Sequence, residues 1–167
     1  METINKDVAG NRVIHEKVGM YYEEFVIGDV VEHWPGRTIS EADNTWFTLL
    51  TMNRHPVHFD DHHAKSTHFG KVLVNSCLTL SIITGMTVNI LSAKAIANLG
   101  WDQVKLPAPV FVGDTLYARS EVTLKRKSSK HSDRGIITIK MTGYNQNKQI
   151  IFEGTRTFMV PCEKGET

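Results

Sequence analysis

The chain has 167 residues, 41% hydrophobic and 22% charged, enough for one domain with a sizeable core. A net charge of +1 gives no global attraction to nucleic acid or to an anionic membrane surface. Cys77 and Cys162 are too few for a disulfide framework, so the chain reads as a reduced, cytoplasmic protein.

Residues 1–20 are polar and mixed in charge, with no clear periodicity and no apolar run resembling a signal peptide. They read as a loose arm, followed by one domain over 21–167. No stretch approaches the roughly 20 apolar residues of a spanning helix. The segment from Tyr21 to Phe25 is aromatic and acidic, and Gly28-Asp29 marks a turn. Val30 to Ile39 reads as a strand, broken or bulged near Pro35-Gly36. Ser40 suits a helix N-cap, with Glu41 and Asp43 in the first turn, where the helix dipole favours anions. Ala42, Trp46, Leu49 and Leu50 recur at helical spacing and predict an apolar, core-facing stripe that ends near Asn53.

The next eight residues, Asn53-Arg54-His55-Pro56-Val57-His58-Phe59-Asp60, hold two histidines, a proline and a carboxylate. Proline stops the helix and fixes the backbone, so His58 is expected on a rigid loop. Histidine is the side chain whose ordinary pKa lies nearest neutrality, which suits it to proton transfer. The spacing alone serves equally for a helix-terminating turn with solvated histidines.

Asp60 to Ser66 predicts a short helical turn. Val72 to about Ser92 is the longest apolar run and predicts a central helix buried on most sides, with Cys77 as a small core residue. Gly85 within it marks either close packing or a bend. Beyond Ala95 the chain reads mainly as strand. Leu116, Ala118, Ser120, Val122 and Leu124 alternate with polar residues after a Gly113-Asp114 turn, as do Ile137, Ile139 and Met141. Lys125 to Arg134 reads as a basic loop, Asn145 to Lys148 as a hairpin turn, and Gln149 to Val160 as the last strand. A long buried helix followed by antiparallel strands predicts an α+β domain with the sheet curled around the helix.

These residues resemble the hot-dog fold of MaoC-like (R)-specific enoyl-CoA hydratases, whose motif is Asp-x-Asn-Pro-aliphatic-His-x-Asp. Asn53 stands in the place of the Asp and His55 in that of the Asn, while Pro56, Val57, His58 and Asp60 match. Phe69 to Ser76 resembles the family's entry into the central helix, and Pro109 to Asp114 the strand leading into its long hairpin. The resemblance runs from about Tyr21 to Val160. Thr51-Met52-Asn53 with His58-Phe59-Asp60 is similar to a branch that carries Asn and includes hydratases of mesaconyl-CoA and methylmalyl-CoA.

The resemblance implies reversible hydration of a 2-enoyl-CoA with a short or branched, even C5 dicarboxylic, acyl group. His58 would be the general base and Asn53 would hold the water; an amide orients water but takes no proton at neutral pH. The backbone N–H of Ser76 at the start of the central helix would stabilise the enolate. Asp60 would either orient His58 or cap the next helical turn. Ser81 matches a supporting serine or is a small helix-packing residue, and His55 would support the site from behind. Trp46 and Phe47 would line the acyl pocket, although Trp46 suits the core equally well. Arg126 and Lys127, among the basic residues from Lys125 to Arg134, would meet coenzyme A phosphates or form a solvated loop.

Coenzyme A enters as part of the substrate, with no separate cofactor expected. His55, His58, His62, His63 and His68 fit no compact zinc spacing, and no metal site is expected. The resemblance also implies a homodimer whose site draws on both subunits. Two other functions remain open: a hot-dog thioesterase using a carboxylate such as Asp60 or Asp61, and a non-catalytic acyl-CoA-binding subunit in which Asn53 marks a lost base.

Overall fold

The computed structural model describes residues 5, 6, 9 and 11–163. Near the N-terminus, β1 (Asn5–Lys6) and β2 (Arg12–Val13) pair as a small antiparallel ribbon. The arm expected over 1–20 falls partly outside the described residues. Its last part is strapped to the body: the Gly19 N–H donates to the Asn89 carbonyl, and the Lys94 ammonium donates to the carbonyls of Val18 and Gly19.

Five longer strands make one antiparallel sheet in the order β3-β5-β6-β7-β4. They are β3 (Val30–Thr38), β4 (Ala97–Lys105), β5 (Thr115–Lys127), β6 (Arg134–Asn145) and β7 (Ile150–Pro161). The bulge expected near Pro35-Gly36 is present as a register shift between His33 and Arg37, around a cis Trp34-Pro35 bond. The alternation expected in β5 holds for Leu116, Ala118, Ser120 and Val122, all buried. It fails at Leu124, which is exposed, because a register shift between Val122 and Leu124 turns the strand by one residue.

The sheet lies across α3 (Ser76–Met86), which packs against β3, β5, β6 and β7. Leu78 and Ile83 on this helix join Leu116, Ile139, Met141, Phe152 and Phe158 from the sheet in one core. Burying such a cluster supplies the main stabilising term, roughly 1.5–3 kcal/mol for each large apolar side chain.

Three sequence expectations need correction here. The central helix does not begin at Val72. Asn75 caps it by accepting the Cys77 N–H, and Leu73 instead bridges Phe111 in extended form. The helix also stops at Met86 and continues as a π-helical turn over Val88–Ser92. It is buried on most sides as expected, but one face, with Ser76, Cys77, Ser81 and Gly85, is exposed, so Cys77 is no core residue. A Cβ on Gly85 would meet nothing within 4 Å, so this glycine does not mark close packing. Finally, Lys125, Arg126 and Lys127 belong to β5, and the loop covers only residues 128–133. No helix among the described residues is long and apolar enough to cross a membrane.

Candidate active site

The site begins with α1 (Glu41–Leu50), started by the expected capping box between Ser40 and Asp43. The predicted apolar stripe on this helix is inverted. Trp46 is 69% exposed, and Leu49 and Leu50 also face outward, while the polar Asn44 and Thr48 are fully buried. Spacing four residues apart puts Asn44 and Thr48 on one face, and that face holds the histidine turn rather than an apolar core. The helix ends as Met52 enters the left-handed region at φ 60°.

The turn that follows is built from local hydrogen bonds. The Asn53 Oδ1 accepts the His55 N–H at 2.9 Å, and the His55 Nδ1 accepts the Val57 N–H at 3.3 Å. Pro56 opens a single 3-10 turn, Pro56–His58, and the buried Val57 anchors it by accepting the Leu73 N–H at 3.0 Å. The half-buried His58 ring is thereby presented with its Nδ1 2.9 Å from the Leu73 carbonyl oxygen. A carbonyl oxygen can only accept, so Nδ1 carries the proton in the neutral ring and Nε2 keeps its lone pair. The ring is thus oriented by the backbone.

Asn44 ties this turn to the start of α3. Its Nδ2 donates to the His58 carbonyl at 2.7 Å and to the Leu73 carbonyl at 3.1 Å. Its Oδ1 accepts the Asn75 N–H at 2.9 Å. The Asn75 Nδ2 in turn meets the Thr48 Oγ1 at 3.3 Å. These bonds satisfy a polar group that would otherwise be costly to bury. They also place the N-terminus of α3 a few residues from the carbonyl that holds His58.

Ser76 is the first residue of α3, and its N–H has no acceptor among the described residues. A free N–H at a helix N-terminus points toward developing negative charge. A cleft of about 280 Å³ opens beside it, lined by Phe69, Leu73, Ser76, Thr79, Leu106 and Pro109 among others. Lys71 stands nearby in the sequence, its ammonium 4.1 Å from the centre of the Phe111 ring.

The remaining sequence-predicted residues divide clearly. Asn53, His55 and His58 share the turn, and His58 is linked through Leu73 and Asn44 to the residue before Ser76; of the four, Ser76 alone lines the cleft. His55 lies between His58 and His63 with its ring steeply tilted to both, ring centres 5.9 and 6.4 Å away. Of the two roles open to Asp60, the geometry gives the cap. Its Oδ1 accepts the His63 N–H at 2.9 Å at the start of α2 (Asp61–Ser66), and the His58 ring is held by Leu73 instead. Ser81 donates to the Cys77 carbonyl one turn back and faces outward. Phe47 is partly buried against the core, and neither it nor Trp46 lines the cleft.

Arg126 and Lys127 lie at the far end of β5, roughly 35 Å along the strand from the end that adjoins α1. The Lys127 ammonium is engaged by Glu23 at 3.1 Å and by the Cys162 sulfur at 2.9 Å. No group of three or more His, Cys, Asp or Glu side chains converges as a metal site among the described residues. Sequence reasoning missed Asn44, Thr48 and Asn75. The available signal was the polar i, i+4 pair on a helix whose apolar residues cover the other side.

Residues 24–145 match the family described as the MaoC like domain. The chain is 32% identical over 142 residues to β-methylmalyl-CoA dehydratase of Chloroflexus aurantiacus, covering 85% of this chain and 40% of that protein. It is 28% identical to an (R)-specific enoyl-CoA hydratase of Rhodospirillum rubrum, covering 75% of this chain and 83% of that one. A Mycobacterium tuberculosis protein described as a double hot-dog fold superposes with a TM-score of 0.78 at 22% identity, over 89% of this chain and 46% of that one. The likeness to it shows the fold: a hot-dog, with the antiparallel sheet wrapped around α3. The chain spans about 40% of the length of the first curated relatives it matches. From its matched residues and its hot-dog fold, the chain belongs to the MaoC-like domain family.

Proposed function

We propose that this protein is a hydro-lyase that reversibly hydrates a 2-enoyl-CoA to a 3-hydroxyacyl-CoA. The observation that carries the reading is the fixed His58 ring, with Nε2 left as a base, tied through the Leu73 carbonyl, Asn44 and Asn75 to the start of the helix that carries the Ser76 N–H. In hydration, Nε2 takes a proton from water while the water oxygen bonds to the β-carbon of the enoyl group. The electron pair of the double bond moves onto the thioester oxygen, where the Ser76 N–H stabilises the enolate. The imidazolium then returns a proton to the α-carbon, and the thioester carbonyl re-forms.

Asn53 refines this sequence. Its Oδ1 accepts the His55 N–H and fixes the amide in the turn, and its Nδ2 can donate to the water oxygen. The amide takes no proton, and His58 therefore performs both transfers. His55 supports the turn through Val57. The substrate brings coenzyme A, and the reaction needs no further cofactor. The relatives named for β-methylmalyl-CoA and mesaconyl-CoA make a short, branched, dicarboxylic acyl group the first candidate. Two unpaired cysteines suit a reducing cytoplasm.

A second copy of the chain is the natural partner. Among the described residues the outer strand β4 pairs only with β7, and it exposes Leu99, Trp101 and Val104. An unpaired apolar edge of this kind favours strand addition. Arg126 and Lys127 would reach coenzyme A phosphates only if a partner brought them to the site.

The test follows enoyl-thioester absorbance with crotonyl-, mesaconyl-, itaconyl- and longer linear enoyl-CoA, with free thiol measured in parallel. Hydration without thiol release, abolished by His58→Ala, supports the reading. Thiol release would establish a thioesterase instead. Binding of acyl-CoA without turnover would make the chain a non-catalytic subunit.

A further inference from the structure

The buried side chain of Asn44 bonds to the backbone of His58, of Leu73 and of Asn75, the residue before Ser76, yet it lies outside the histidine motif. Its two donors end on the carbonyls of His58 and Leu73, and its acceptor takes the Asn75 N–H. These partners fix the amide's orientation without ambiguity: two carbonyls require NH2, and an N–H requires the oxygen. Both its donors and its oxygen are thus partnered at 0% exposure.

The Leu73 carbonyl is the shared element. It accepts from Asn44 Nδ2 and from His58 Nδ1 together. Two residues further on, Asn75 is held by the same amide and caps the helix whose first N–H is that of Ser76. One side chain therefore couples the aim of the base to the aim of the oxyanion donor.

We infer that Asn44 is a positioning residue: it locks His58 in the Nδ1–H tautomer and holds the N-terminus of α3 in register with it. The inference rests on the hydratase reading for its kinetic consequence, but not for its tautomeric one. Without Asn44, the Leu73 carbonyl and the His58 turn lose their common tether. The ring is then free to adopt the Nε2–H tautomer, which offers a donor where the reaction needs a base.

The test combines kinetics with long-range 1H–15N NMR of histidine-labelled full chain at about pH 8, above the ordinary imidazole range. Comparison with His58→Gln assigns the His58 signals. The wild type is expected to show the Nδ1–H form alone. Asn44→Asp keeps the size of the side chain and the acceptor for Asn75 but removes both donors; Asn44→Ala removes all three bonds. Both are expected to give mixed tautomers. With the substrate found by the ester panel, kcat is expected to fall about 10–100-fold, as displacing a reacting group by an ångström does, while KM stays within about threefold. Circular dichroism and Tm report folding, and Asn44→Asp decides if Asn44→Ala does not fold.

A wild-type His58 in the Nε2–H form overturns the inference without any variant. So do folded variants that keep a pure Nδ1–H ring and an undiminished kcat. If the wild type hydrates no enoyl-CoA, the hydratase reading falls, and the tautomer comparison still decides the role of Asn44.

Discussion

Replacing Ser76 by proline removes the backbone N–H, together with an exposed hydroxyl that Ser76→Ala removes alone. Ser76 is the first residue of α3, where proline is well accepted because the missing N–H has no helical partner. The residue before a proline must be extended, and Asn75 already is, at φ −60° and ψ 128°. The Asn75 cap to the Cys77 N–H is untouched. Stability should therefore change by about 0.5 kcal/mol or less, the usual range for an exposed site. If this N–H stabilises the enolate, its loss should lower kcat by about 10²–10³, or ~2.7–4 kcal/mol of transition-state stabilisation. The assay is enoyl-CoA hydration beside a thermal melt, with Ser76→Ala, which keeps the N–H, losing far less. A folded Ser76→Pro protein with kcat within about threefold of wild type would refute the assignment of this amide.

Two further outcomes test the scaffold. A Cβ at Gly135 would fall 2.0 Å from the Tyr22 ring, which Lys125 and Lys127 also hold by their ammonium groups. Gly135→Ala should destabilise by about 1–3 kcal/mol, lowering Tm by roughly 2–4 °C for each kcal/mol. An unchanged Tm would show that Tyr22 is not packed there. The Glu23 carboxyl is lowered to about 2, chiefly by the Glu163 N–H and also by Lys127. A carboxyl held below its unfolded value contributes stability above the ordinary carboxylate range, and that contribution is lost as pH falls toward 2. Because the side chain is nearly half exposed, the effect should stay below ~1 kcal/mol. Glu23→Gln should remove this acid-dependent part of the melt, and an unchanged pH profile would refute the pairing.

Much of the architecture is written in local chemistry. The alternation of Leu116, Ala118, Ser120 and Val122, the Ser40 capping box, the Pro35-Gly36 bulge and the Asn145 turn depend on neighbours a few residues away, so period and turn chemistry reveal them. The histidine turn is equally legible, since proline and the Asn53 Oδ1 shape it from within. Its resemblance to the family motif named the fold and pointed to His58.

What the sequence alone does not reveal depends on partners far along the chain. Hydrophobic spacing on α1 pointed Trp46 inward, but the helix turns its polar side in because Asn44 can satisfy carbonyls 14 and 29 residues away. The choice between capping and orienting roles for Asp60 could not be made until the Leu73 carbonyl was found at the His58 ring. Cys77 sits in an apolar run, yet the register set by the Asn75 cap turns it to the surface. Apolar periodicity reports which residues can be buried, whereas long-range hydrogen bonds decide which polar groups must be. The residues that hold the His58 ring and its turn belong to the second kind, and only the folded chain brings them together.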